Sequence, residues 1–415
     1  GGNLLVNGGT VLFQDCRAKF GGGLYLKYGT YQQRGTSKIA FENCSAFSGG
    51  GGLFMEVGSF HQHAGDLSFQ RCFGNETGGG LYVMNGSFHQ SGVVEAKDCT
   101  ASRGFGGLLF AHEVFIRGAL GADGCEASYG GCISGSQAVT ITGSFTARNC
   151  HAHDVGGAIS TRAMNISGHL EIQSCHAKVD GGAIHAGNVF LENATAHFQN
   201  TSAFGEGGAI QATTVVQEGG EFWITKSRSK NTGGAIASEV FSQSSGNASF
   251  TSCTAASGGA LESFSVESWG TMIFENCRAT KSGGAILAHF VLMMGRTSFN
   301  RCYSKNAGGA IRARSMMQGS YLHAANCRAG VGGAVYIKYS YSYSKRTLSV
   351  NYGLSPQRQE RRMKAHKKMF VGLNKLKVFA AAMLYGDCSF QNCTSPEGCA
   401  MSVKGTILLN QSGKA

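Results

Sequence analysis

Around a recurring cysteine the chain alternates closed positions with open ones. Two residues after the cysteine stands Ala in ten of fourteen units, and Gly74, Ser229, Ser304 or Ser395 in the others. The positions one and three after it accept Arg, Lys, His, Ser, Thr and Phe alike. A period of two belongs to a strand with one face turned inward, so Cys and Ala point into a tight interior and their neighbours point out. VTITGSF, GHLEIQSC and TMIFENC have the matching β-rich composition. No helical period of 3.6 competes with this pattern.

The pattern repeats. The unit reads F-x-x-C-x-small-x-x-x-G-G-A-I, with clear copies in FTSCTAASGGAL, FENCRATKSGGAI and FNRCYSKNAGGAI. The cysteine slot falls at 16, 44, 72, 99, 125, 150, 175, 201, 227, 253, 277, 302, 327 and 393, with Thr201 and Ser227 as its exceptions. Spacings run from 24 to 28, except a last one of 66 that leaves room for about 41 extra residues. Three slots before the cysteine a Phe recurs in eight units and an Ile in two, which predicts a stacked ladder along an axis. The Gly pair predicts a corner that needs positive φ or close backbone approach. After it comes a small residue and then an aliphatic one, as in Ala158-Ile159 and Ala183-Ile184; Cys132 stands in this small slot as a substitute for Ala.

A unit of this length, built of short β segments, predicts one coil of a parallel β-solenoid, all-β, with about 14 coils and a length of roughly 65 Å. The leucine-rich L-x-x-L-x-L pattern is missing, and a propeller blade needs about 40 residues or more. The expected organisation is repeats over 1–344, a basic non-repeat insertion over 345–384, and a continuation of the solenoid over 385–415. The insertion reads as a disordered loop or a gene-model artefact. Both ends fall within a unit, so a section of a longer array is expected.

GGAI at 156–159, 181–184, 207–210, 233–236, 283–286 and 308–311 resembles the GGA(I/L/V) half of the repeats of chlamydial polymorphic outer-membrane proteins. Their FxxN half appears here mostly as FxxC. The resemblance implies a right-handed parallel β-helix of the pectin-lyase-like kind, and an extracellular or cell-surface location.

Composition sharpens this picture. Gly is 63 of 415 residues, Pro only 2, and charged residues 14%. Apolar residues at 42% can build a large core, so simple disorder is excluded. The net charge of +12 is concentrated: residues 345–384 hold ten Lys/Arg against Glu360 alone, leaving +3 for the rest. Specific nucleic-acid binding by the main body is therefore not expected, whereas the insertion suits an anionic membrane or another polyanion.

Candidate chemistry is sparse. Fifteen cysteines invite disulfides, but stacked Cβ vectors in successive coils run parallel, which favours a reduced packing ladder. His151 and His176 follow the slot in adjacent units, and His153 completes an H-x-H, so these three are the candidate metal ligands; His61 and His63 form a second H-x-H. Asp180 and Glu206 directly precede a Gly pair and Asp154 stands two before one, in three consecutive units. In register, these acids share a corner and are the candidate catalytic carboxylates, with Arg162 or Lys178 as positive partner. Nine N-x-S/T triplets, among them Asn75 and Asn165, suit a surface protein. No P-loop, G-x-S-x-G or H-E-x-x-H occurs, and no cofactor is implied. The expected role is a non-catalytic surface scaffold for structure or adhesion, with a host-surface or glycan ligand. The alternative is a carbohydrate-active β-helix enzyme.

Overall fold

The computed structural model describes residues 2–338, 382–384, 387–404 and 407–409. Of the insertion 345–384, only the strand Ala382–Leu384 falls among them. The membrane or polyanion contact expected of its basic residues thus lies outside the described residues.

The regular structure of the described residues is β throughout and strand pairing is parallel. One coil shows the plan. Ile159–Ile166 and His169–Gln173 belong to a long sheet of 33 strands, and His176–Ala177 to a narrow sheet of twelve. Isolated bridges Tyr303↔Arg328 and Arg328↔Thr394 carry the narrow column on to the last two cysteine slots. The chain is a parallel β-solenoid whose rungs match the fourteen sequence units.

The expected columns are in register. Ile159, Ile184, Ile210 and Ile236 pair rung to rung and are fully buried. Phe13, Phe41 and Phe69 stack at 4.8 and 5.1 Å, and Phe250, Phe274 and Phe299 at 4.9 Å each. The ladder breaks at Ala96, Ala122, Ala147 and Ala324. Volume returns beside it: Leu108 and Cys132 fill the small slot of the first two of these coils, and Phe145 is buried two residues before Ala147. A shaft packed at crystal-like density demands such compensation.

Two corners hold the coil by backbone conformation. At the first, Gly181 takes φ +63, and a Cβ on Gly182 would fall on the carbonyl oxygen of Gly208 in the next coil. The pair therefore serves both readings at once, a left-handed turn and a close approach. At the second, the residue before each cysteine slot is left-handed in every coil, with φ from 50° at Arg71 to 64° at Gly124. Asn and Asp tolerate this region best and dominate the position, as at Asn43, Asn149, Asn276 and Asp98. A third corner is closed by side chains. Buried Gln62 donates from Nε2 to the carbonyls of Gly65 and Val93, and Gln217 donates to Gly219, Gly220 and Asn247.

The slot cysteines from Cys44 to Cys327 are buried, and those outside one pair are free thiols. Cys72 illustrates their bonding: its Sγ donates to the carbonyls of Phe41 at 3.4 Å and Gln70 at 3.7 Å. The reduced ladder holds except at Cys150, which is disulfide-bonded to Cys132 across a Cα separation of 6.2 Å. Cys132 is thus more than an Ala substitute. A slot cysteine and a small-slot residue face each other across the shaft, and there alone, among the described residues, both are Cys.

Candidate functional site

The acidic corner forms where strands of the narrow sheet run into the Gly pair. Backbone bonds set its register: Gly156 N–H donates to the Asp180 carbonyl, and Gly181 N–H to that of Glu206. Asp180 and Glu206 therefore share a column. Asp154 does not; Val179 N–H donates to its carbonyl, which places it one residue off. The offset is the one the sequence spacing already carries: Asp154 lies on the strand His151–Val155, while the other two sit in the turn beyond a shorter strand.

Two of the acids have a local occupation. Asp180 Oδ1 accepts the backbone N–H of Glu206 at 2.6 Å, so it caps the following turn. Asp154 faces the Tyr129 hydroxyl, and that hydrogen bond raises the phenol above its usual range. Neither suggested positive partner reaches the acids as an ion pair among the described residues: Lys178 Nζ instead donates to His153 Nδ1 at 2.9 Å, and Arg162 is exposed. Two residues not singled out from the sequence complete the corner. His185 is half-buried, and burial lowers its pKa against the opposing pull of Asp180 and Asp154. Glu262 is pushed up to about 7, first by burial and then by the charge of Glu206. Both follow the aliphatic residue after a Gly pair, which is the signal that marks this column in the sequence.

The histidines lie on the outer face of the narrow sheet. His151 pairs with His176, and their rings stack at 5.2 Å. His153 Nε2 lies 2.5 Å from Glu126 Oε1. The one group of three metal-ligating atoms within 4.8 Å of one another, among the described residues, is Glu126, His151 and His153. His176 stands outside it, with Nδ1 2.8 Å from Ser202 Oγ. Glu126 follows the cysteine slot just as His151 and His176 do, but it was missed because that column was read for histidines alone; it pairs in register with His151 one coil away. In the chain Lys178→His153→Glu126, both ring nitrogens of His153 are engaged. His61 and His63 lie 5.9 Å apart, and His61 stacks at 4.7 Å on His89, a residue outside the H-x-H pattern.

No protein-family model, curated protein or solved structure matches this chain.

Proposed function

We propose that the protein is a non-catalytic surface or extracellular repeat scaffold, serving structure and adhesion, with coils of the kind found in the GGA(I/L/V) repeats of polymorphic outer-membrane proteins. The observation that carries this reading is the separation between a fixed interior and a free exterior. From Leu4↔Tyr31 to Val335↔Met401, rung follows rung in parallel register. The outward column after the cysteine slot meanwhile passes through Arg17, Ser45, Phe73, Thr100, Glu126 and His151. A scaffold that tolerates any side chain on its faces suits recognition by surface pattern.

The test is display and capture. Antibody labelling of intact cells should reach the protein, and the immobilised chain should retain host cells or their matrix. Labelling only after permeabilisation, with no retention, would remove the proposal.

A second reading, a carbohydrate-active enzyme, is favoured by one observation: Glu262, pushed up to about 7, shares the acidic corner with Glu206. A carboxyl group whose pKa is raised, with a second carboxyl group at the same corner, is the kind of pair that glycoside cleavage uses. Reducing-sugar release from plant or microbial polysaccharides, abolished by Glu262→Gln, is its required outcome.

A further inference from the structure

On the narrow sheet, the outward column after the cysteine slot becomes regular in its last six rungs. Pairing places Arg228, Thr254, Arg278, Tyr303, Arg328 and Thr394 one above another. Arginine thus occupies every second rung. With neighbouring rungs about 4.8 Å apart, the arginine backbones recur at roughly 9.6 Å along the column. Between them stand hydroxyl-bearing side chains. All three arginines are exposed, and among the described residues none of the ion pairs involves them.

The surroundings reinforce the positive face. Arg301 flanks the column in the left-handed position before Cys302. Lys230 and Lys305 lie exposed on its other side. None of the four strands here, Arg228–Ser229, Thr254–Ser257, Arg278–Ser282 and Tyr303–Ser304, contains an acid. A basin of about 290 Å³ opens between Arg278 and Arg301, with Tyr303 among its walls. The Arg278 guanidinium lies 5.0 Å from the Tyr303 ring centroid, a contact that fixes its direction.

We infer that this face binds a linear acidic polysaccharide in which an anionic sugar alternates with a neutral one. The inference rests on the adhesive-scaffold reading and names its ligand class. In an extended chain of this kind, carboxylate or sulfate groups recur at every second sugar, close to the two-rung interval of the arginines. Arginine binds both groups through paired N–H donors. The intervening Thr254 and Tyr303 hydroxyls meet the neutral sugar. Nucleic acid fits less well: phosphates in a duplex strand follow each other at about 3.4 Å and wind around an axis, whereas the arginines recur at a wider interval on one sheet face.

The experiment compares the full chain with the triple variant Arg228→Gln, Arg278→Gln, Arg328→Gln. A second triple variant, Lys27→Gln, Lys97→Gln, Arg162→Gln, removes equal charge from exposed positions elsewhere. Probes are hyaluronan, whose carboxylate-bearing sugar alternates with a neutral one, dextran as a neutral chain, and single-stranded DNA. Expected is hyaluronan binding that falls at least tenfold in the arginine variant, changes less than threefold in the control variant and weakens with added salt. Dextran should not bind. Equal loss in both variants, no loss in either, or tighter and equally arginine-dependent binding of DNA would overturn the inference. Circular dichroism of each variant checks that the solenoid is intact. If hyaluronan fails while host-cell retention persists, this inference falls and the adhesive reading stands; if retention also fails, both fall.

Discussion

Thr201 Oγ1 and Ser227 Oγ share a 2.7 Å hydrogen bond, fully buried, in the column that carries thiols above and below them. Two hydroxyls in adjacent coils satisfy each other where two thiols would merely touch. Thr201→Val keeps the shape but strands the Ser227 hydroxyl, which costs about 1–3 kcal/mol. The double variant Thr201→Cys, Ser227→Cys restores a continuous thiol column and should be less destabilised than Thr201→Val alone. Urea unfolding midpoints of both variants check the order.

The Gly corner is expected to be the least tolerant position in the coil. In Gly182→Ala the new methyl meets the Gly208 carbonyl and the Ser202 backbone, and neither can move without breaking rung register. Loss of several kcal/mol, or failure to fold, is expected. Gly121→Ala is the control. It lies in the strand Ala119–Asp123, and a Cβ there meets nothing within 4 Å, so it should stay within about 0.5 kcal/mol of the parent or gain slightly. Soluble yield and thermal midpoint separate the two.

Much of the architecture was legible because it is written once per coil. The Cys, Ala, Phe and Gly-Gly columns recur at fixed spacing, so an interior position is read many times over. The left-handed corner was less legible. Asn and Asp dominate it, yet Arg71, Lys226 and Arg301 also occupy it, so composition alone blurs the signal. The buried Gln column was invisible for another reason: Gln62 and Gln217 bond to backbone of corners whose geometry is not encoded in any side chain. The site residues depended on register between distant units. Glu126 and Glu262 were missed, because each acquires meaning only from a neighbour in another coil.

Arg71 pays for its place. It holds φ 50°, a region where a long side chain is strained and Asn is accommodated. Arg71→Asn should therefore stabilise the protein by roughly 1 kcal/mol or less. A rise in thermal midpoint without change in the far-ultraviolet spectrum is the check, and a fall would show that the arginine side chain has a role of its own.

The Cys132–Cys150 bond closes a loop of 18 residues in the middle of the shaft. Constraint of the unfolded chain by a loop of that size contributes about 3 kcal/mol. Cys132→Ala should lose most of this, because Ala fills the same slot in other coils, as at Ala158 and Ala183. A reducing agent should destabilise the parent protein by a similar amount and leave the variant unaffected. Equal sensitivity of both would mean that the two thiols are not joined in solution.

Glu262 links the acidic corner to stability. Burial and Glu206 hold its folded pKa at about 7, above the ordinary 4.5. Between those values the folded state keeps a proton that the unfolded state has released. Stability contributed by this group is therefore full below pH 4.5, declines as pH rises towards 7, and is level above it. Glu262→Gln cannot ionise and lacks the decline. The difference between parent and variant should thus shift against the parent from pH 4.5 to pH 7 and then stop changing. Other titrating groups are common to both proteins and cancel in that difference. Denaturation midpoints of the pair at half-unit pH steps make the comparison. A flat difference would show that Glu262 is solvated and ionised in the folded protein, and would also withdraw the proton that the enzymatic reading requires.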